Sequence, residues 1–191
     1  MKRKAIIISI KGTRLSKMEK ILFSKERPWG VILFKRNLES FKQIQNLTNQ
    51  IKKLVKDRKF PIIVDEEGET VSRLSNIINH NISAEFFGNL FIKNERFCLK
   101  IFKHYIQSLS KTLRDLNINV NSIPVLDVLR NYTNVVIRKR SFSKDKKVVK
   151  ELGRICIKYL HLNKLAGVIK HVPGHGAAVS DSHKRTPKVS L

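Results

Sequence analysis

One segment near the carboxyl end of the chain, KHVPGHGAAVSDSHKRTP, concentrates side chains that could do chemistry. It holds His171, His175, His183 and Asp181 among glycines and prolines. Three histidines and a carboxylate could bind a metal ion. Glycines that free the backbone could equally form a mobile catalytic loop. An aspartate two residues before a histidine can orient the imidazole for acid–base chemistry. The residue types alone leave both possibilities open.

Further polar residues follow four apolar runs of the chain. These clusters are Lys35-Arg36-Asn37, Asp65-Glu66-Glu67-Gly68, Asp127 and Lys170-His171. In parallel α/β folds the carboxyl ends of the strands face the ligand. Each cluster alone could be a solvated loop, but four at equivalent positions favour one shared site.

The elements that must position these residues can be predicted from the apolar pattern. Five short β-rich runs predict strands, at Ala5–Ile10, Val31–Phe34, Pro61–Val64, Ile118–Pro124 and Gly167–Ile169, with a turn at Pro28-Trp29-Gly30. Such continuous apolar runs are typical of parallel strands that are buried on both faces. Apolar residues at helical spacing predict helices over about 41–54, 97–116 and 148–162.

The helix boundaries and the connections are less strongly marked. Ser40 and Ser143 are predicted N-caps, and residues 66–95 are predicted to lack a long regular element. The alternation of strands and helices predicts a parallel α/β sheet with right-handed crossovers. Periodicity alone does not separate a doubly wound sheet from a TIM barrel.

Composition limits the classes of protein to consider. The 191 residues carry a formal net charge of +24, and 41% of them are hydrophobic, which suits one globular domain. The charge predicts attraction to polyanions, but no reading helix or aromatic stacking motif accompanies it. We therefore expect no specific nucleic-acid partner. The apolar run Ala5–Ile10 is too short for a membrane span, and Cys98 and Cys156 show no disulfide framework, so we expect a cytoplasmic protein without a membrane partner.

Five ordered stretches of the chain resemble those of the family 3 glycoside hydrolases that act as β-N-acetylhexosaminidases. KHVPGHG followed by DSH resembles the KH(F/V)PGHG…DSH motif of that family. The other matching stretches are WGVILFKRN, VDEEGETVSRL, SIPVLDV and RKRSFSKD. The resemblance covers essentially the whole chain.

The resemblance implies a fold, an activity and a set of site residues. The fold would be a (β/α)8 TIM-like barrel, with residues 1–191 as the N-terminal part of the catalytic domain. The activity would be retaining hydrolysis of terminal β-linked N-acetylglucosamine in muropeptides, without a cofactor or a metal. His183 would be the acid/base, assisted by Asp181. The sugar contacts would be Asp65, Arg73, Arg140, Lys170 and His171.

Two departures from the family pattern qualify this expectation. A retaining mechanism needs a carboxylate nucleophile, and no residue of the chain matches the aspartate that supplies it in the family. About five of the eight β/α units are expected, so the barrel would be incomplete. Glu69 and Thr70 stand where the family has glycine and arginine, which could perturb the Asp65 loop. An inactive remnant that binds the sugar without cutting it is therefore the alternative function, and the oligomeric state is not predicted.

Overall fold

The structure is a computed structural model, and it describes residues 3–79 and 81–189. Within these residues, five parallel strands form one sheet, in which the strand order equals the chain order. The strands are β1 (Lys4–Ile8), β2 (Pro28–Leu33), β3 (Ile62–Val64), β4 (Val120–Asn121) and β5 (Ala166–Gly167). The predicted parallel α/β sheet is confirmed. Its order never reverses, as it would in a doubly wound sheet, and it corresponds to five consecutive strands of a TIM-like barrel.

The second strand corrects the predicted turn at Pro28-Trp29-Gly30. These residues belong to β2, and Pro28 aligns with Lys4 of β1. Proline lacks an N–H to donate, but the first position of a strand tolerates that loss. The Val31 N–H donates to the Pro61 carbonyl at 3.0 Å and joins β2 to the chain entering β3.

The first strand also differs from the prediction that the strands are buried on both faces. Ile6 and Ile7 in β1 are 52% and 47% exposed. Within the described residues β1 pairs only with β2, and β5 pairs only with β4. At the β5 edge Val168 and Ile169 are likewise exposed. The sheet is therefore open at both edges, as expected for an incomplete barrel.

In residues 3–79 and 81–189, six α-helices connect the strands. They are α1 (Lys17–Lys25), α2 (Phe41–Val55), α3 (Ala84–Lys93), α4 (Glu95–Asp115), α5 (Val135–Arg138) and α6 (Lys146–Leu162). The predicted helices correspond to α2, α4 and α6, and Ser40 caps α2 as expected. Ser143 is not the cap of α6, because the Asp145 side chain accepts the Lys147 N–H at 2.8 Å instead. The prediction that residues 66–95 lack a long element is wrong, since α3 lies there.

The core lies between the sheet and the apolar faces of its helices. Ile44 of α2, Phe102 of α4 and Leu152 of α6 are all at least 98% buried, in one cluster with Leu33 of β2 and Val64 of β3. Each such side chain contributes about 1.5–3 kcal/mol when it is removed from water. This packing fixes the carboxyl ends of the strands, from which the site residues extend. Among the helices described, none is long and apolar enough to cross a membrane.

Candidate active site

The carboxyl ends of β3, β4 and β5 bring three polar side chains together. Lys170 follows β5 and is held beside the segment after β4 by a bridge to Val125. Its Nζ donates to Ser122 Oγ at 3.0 Å and to Asp65 Oδ1 at 3.2 Å. Asp65 directly follows β3. The geometry therefore joins two of the predicted sugar contacts in one ion pair, of which both side chains are mostly buried.

Glu67 connects this pair to Arg140. Its carboxylate accepts from Arg140 Nε at 2.7 Å and from Arg140 Nη2 at 3.0 Å, in a two-point contact. Lys170 Nζ also contacts Glu67 Oε1. The side chains of Glu67 and Arg140 are only 6% and 10% exposed. Two-point contacts of this kind fix the plane of the guanidinium group as well as its position.

Asp127 connects His171 to the loop that follows it. Asp127 Oδ2 lies 2.6 Å from His171 Nδ1, and Oδ1 accepts the Gly176 N–H at 2.8 Å. The Asp127 side chain is fully buried. On the other side of the ring, His171 Nε2 lies 3.2 Å from Arg140 Nη2. A continuous chain of polar contacts thus runs from Asp127 through His171, Arg140 and Glu67 to the Lys170–Asp65 pair.

Arg73 stands at the end of this chain, on a loop that Glu66 closes. Its guanidinium Nη2 lies 3.8 Å from Asp65 Oδ2. The buried Glu66 carboxylate accepts the backbone N–H groups of Arg73 and Leu74, each at 2.8 Å. Gly68 turns the same loop at a φ of 130°, where an added Cβ would lie 2.2 Å from the Ile82 carbonyl oxygen. Only glycine fits this conformation without a backbone shift.

Asp181 and His183 form a pair on the loop after β5. His183 Nδ1 lies 2.8 Å from Asp181 Oδ1, and the His183 N–H donates to the same oxygen at 2.9 Å. The His183 side chain is 79% exposed, whereas that of Asp181 is 19% exposed. Asp181 therefore sits behind the imidazole and leaves the Nε2 edge of the ring open.

A cleft of about 370 Å³ gathers these groups. Six of the seven site residues predicted from the sequence line it, namely Asp65, Arg73, Arg140, Lys170, His171 and His183. Asp181 does not line the cleft but contacts His183, which does. No cluster of three metal-ligating side chains occurs in residues 3–79 and 81–189, and two of the three loop histidines each pair with an aspartate instead.

The surroundings of the aspartates favour their charged forms. Burial of Asp65 opposes ionisation, but Lys170, Ser122 and Arg73 outweigh it and hold the pKa of Asp65 below its usual value. Burial likewise opposes ionisation of Asp127, but its hydrogen bonds from His171 and Gly176 lower the pKa overall. Two carboxylates, Asp65 and Glu67, thus face three cations, Arg73, Arg140 and Lys170, in the lining of the cleft.

Comparison with known proteins identifies the family. Residues 5–191 match the model described as the glycosyl hydrolase family 3 N terminal domain. The chain belongs to glycoside hydrolase family 3. A curated relative, β-hexosaminidase A of Pseudoalteromonas piscicida, is 34% identical over 178 residues, which cover 88% of this chain and 28% of the relative. A β-hexosaminidase of Xanthomonas campestris pv. campestris (strain B100) is 30% identical, over 93% of this chain and 53% of its own length.

Solved structures of the same family share the fold. Native NagZ from Neisseria gonorrhoeae superposes with a TM-score of 0.89 at 28% identity, over 97% of this chain and 54% of that one. The same enzyme has been solved with N-trifluoroacetyl-D-glucosamine, also at a TM-score of 0.89. These neighbours confirm the predicted barrel architecture, of which the described residues form five strands. The chain spans about half the length of that structure and of the Xanthomonas relative, and less of the Pseudoalteromonas one.

Glu69 and Thr70, which replace the family's glycine and arginine, do not line the cleft. Glu69 Oε1 pairs with Lys139 Nζ at 2.6 Å, and its backbone N–H donates to the Ile82 carbonyl. Thr70 is exposed. Neither side chain lines the cleft, whereas Asp65 and Arg73 both do. Asp65 and Arg73 thus line the cleft of this family 3 chain with glutamate and threonine at positions 69 and 70.

Sequence reasoning missed three residues that hold the family 3 site together. The sequence showed these residues, Glu66, Glu67 and Asp127, only as members of polar clusters that follow predicted strands, with no individual role. The signal that could have singled out Glu67 and Asp127 was their position inside motifs shared with the family. The contacts of Glu67 with Arg140 and of Asp127 with His171 join residues far apart in the chain, so periodicity and spacing carry no information about them.

Proposed function

We propose that this chain provides the sugar-binding cleft and the acid/base of a retaining glycoside hydrolase. The substrate would be terminal β-linked N-acetylglucosamine in peptidoglycan fragments, and the activity that of a β-N-acetylhexosaminidase. Residues 1–191 would form the N-terminal part of its TIM-barrel catalytic domain. Membership of family 3 supports the reaction class. The complex of the Neisseria gonorrhoeae enzyme with N-trifluoroacetyl-D-glucosamine supports the sugar.

The observation that carries the proposal is the convergence of ion-paired groups on one cleft beside the Asp181–His183 pair. The sugar ring and its substituents would be held by Asp65, Arg73, Arg140, Lys170 and His171. Charged groups in fixed positions can orient several hydroxyl groups at once. Cleft volumes of several hundred Å³ suit ligands of this size.

In the proposed mechanism His183 protonates the departing glycosidic oxygen and later takes a proton from water. Asp181 would stabilise the charged imidazole through Nδ1, which leaves Nε2 to face the substrate. The nucleophile would be a carboxylate from outside these 191 residues. Asp65 and Glu67, the carboxylates lining the cleft in the described part of the chain, are both held by cations, and a nucleophile must be free to attack.

The second candidate is a sugar-binding remnant that does not hydrolyse its ligand. The absence of a match to the family's nucleophile favours it. Calorimetry with N-acetylglucosamine, run beside an assay with a chromogenic N-acetylglucosaminide, separates the two functions. Both functions predict that the 191-residue chain binds the sugar. Turnover by a form of the protein that also carries the carboxylate nucleophile supports the hydrolase, and binding without turnover by that form supports the remnant. If the chain neither binds nor cleaves the sugar, both candidates are wrong.

We also propose a cytoplasmic location. Cys98 and Cys156 are free and buried, and burial raises the pKa of the Cys98 thiol to about 11. Free buried thiols suit a reducing compartment. Fractionation of cells that express the protein, with quantification in each fraction, tests this proposal.

A further inference from the structure

The polarity of the groups around His171 restricts the state of its ring. Asp127, when ionised, can only accept hydrogen bonds, and Arg140 can only donate them. Asp127 Oδ2 lies 2.6 Å from Nδ1, and Arg140 Nη2 lies 3.2 Å from Nε2. Nδ1 must therefore carry the proton, and Nε2 must offer a lone pair. A doubly protonated ring would place an N–H of His171 against an N–H of Arg140.

Asp127 is itself fixed from several directions. Its side chain is fully buried, its Oδ1 accepts the Gly176 N–H, and its carbonyl accepts from Ser141 Oγ. The Gly176 backbone packs so closely that an added Cβ would lie 2.4 Å from the Val128 carbonyl oxygen. The Asp127 carboxylate therefore has little freedom to move, so its position sets the orientation of the His171 ring.

We propose that Asp127 is a positioning residue, which holds His171 as the neutral Nδ1–H tautomer so that Nε2 accepts from Arg140 and fixes Arg140 in the cleft. His171 thereby holds Arg140 for its contact with the sugar, and the ring itself faces the cleft as a neutral group rather than as a further cation beside Arg73, Arg140 and Lys170. The hydrogen bonds that lower the pKa of Asp127 agree with a permanent charge at this position. The proposal rests on the proposed function for its link to the sugar, but the tautomer is independent of it.

The tautomer can be measured directly on the 191-residue chain. Long-range ¹H–¹⁵N correlation spectra of protein with labelled histidine report which ring nitrogens are protonated, and Asp115→Asn is a matched control at an exposed carboxylate. A His171→Gln variant assigns the signals. We expect His171 to be protonated at Nδ1 alone at neutral pH in the wild type and in Asp115→Asn. A wild-type ring that is protonated at Nε2, or at both nitrogens, overturns the proposal.

Two variants test which neighbour sets the tautomer. In Asp127→Asn the amide can donate to Nδ1, so we expect the Nδ1–H form to be lost. In Arg140→Met we expect that form to remain, while the Nε2 shift changes because its donor is gone. An unchanged ring in Asp127→Asn, or a switched ring in Arg140→Met, contradicts the assignment. If Asp127→Asn does not fold, the wild type and Arg140→Met still decide it.

Binding of N-acetylglucosamine, followed by titration calorimetry, tests the link to the sugar. We expect Asp127→Asn to weaken binding about tenfold, which corresponds to about 1.4 kcal/mol, and Asp115→Asn to leave it unchanged. Equal affinity in wild type and Asp127→Asn, with an altered ring, refutes the positioning role. A wild-type chain that binds no sugar counts against the proposed function instead, and the ring spectra then still decide the tautomer.

Discussion

Replacing Glu67 by methionine should destabilise the protein more than replacing its partner Arg140. Glu67 is 6% exposed and holds two cations. Without it, the Arg140 guanidinium stays buried with no carboxylate partner, and breaking a buried pair in this way costs about 3–5 kcal/mol. Arg140→Met leaves Glu67 paired with Lys170, so the loss is that of charged hydrogen bonds alone, about 1.5–3 kcal/mol.

The double variant Glu67→Met/Arg140→Met should be more stable than the sum of the single losses predicts. Lys170 keeps Asp65 at 3.2 Å, and two apolar side chains of similar length fill the space, so we expect a cost of about 2 kcal/mol or less. The coupling free energy between the two positions should therefore exceed about 2 kcal/mol.

Urea unfolding followed by circular dichroism gives the free energy of unfolding of each variant. The exposed pair Glu151–Arg154 is the control, and its methionine variants should change stability by less than about 1 kcal/mol. Additive losses at Glu67 and Arg140, or a Glu67 variant as stable as the Arg140 variant, would refute the view that this pair is buried and mutually dependent.

Three further predictions concern the Asp181–His183 pair, the stability of the protein at acid pH and the Asp65 loop. In a catalytically active form of the protein, His183→Ala should lower kcat about 10²- to 10⁴-fold without loss of folding, because the side chain is 79% exposed; unchanged turnover means that another group is the acid/base. The pKa of Asp65 is lower in the folded protein than in the unfolded chain, where it is about 3.9. Ionised Asp65 therefore stabilises the fold above that pH, and this stabilisation is lost as the pH falls through the pKa of the folded state. Urea unfolding at a series of acid pH values should show a shallower decline for Asp65→Asn than for the wild type, and equal slopes contradict the assignment. Gly68→Ala should lower the free energy of unfolding by about 1–3 kcal/mol, because the added Cβ would lie 2.2 Å from the Ile82 carbonyl oxygen. Gly12→Ala is the control and should lower it less, since no atom lies within 4 Å of its added Cβ. Urea unfolding measures both.

Strands β2 and β3 were predictable because parallel strands in a buried sheet are apolar throughout, as the runs Val31–Phe34 and Pro61–Val64 show. The missed helices have other causes. In α1 only Phe23 is buried, so no apolar stripe marks it, although the capping box of Ser16 and Glu19 was a usable local signal. In α3 glycine and asparagine interrupt the aromatic residues, and its N-cap Ser83 is the clearest sign of a helix start.

The candidate site was predictable in its membership but not in its connections. Position just after a strand placed Asp65, Lys170 and His171 at one edge of the sheet, and the family resemblance added Arg73, Arg140 and His183. These six residues line the cleft. The contact of His171 with Asp127, however, joins residues on different β/α units. Which carboxylate meets which cation depends on side-chain geometry that no pattern of spacing encodes.

The strand order has a consequence for how the chain acquires its structure. Every strand pairs with the strand that immediately precedes it in the chain, so each pairing closes a loop of a single β/α unit. Loop-closure entropy grows only slowly with length, by about 0.6 kcal/mol for each doubling, and topologies dominated by local pairings fold faster than those with distant ones. Each new unit can therefore dock on the one before it as the chain leaves the ribosome. The pairing of Ile63 with Val120 must wait longest, because both α3 and α4 lie between them.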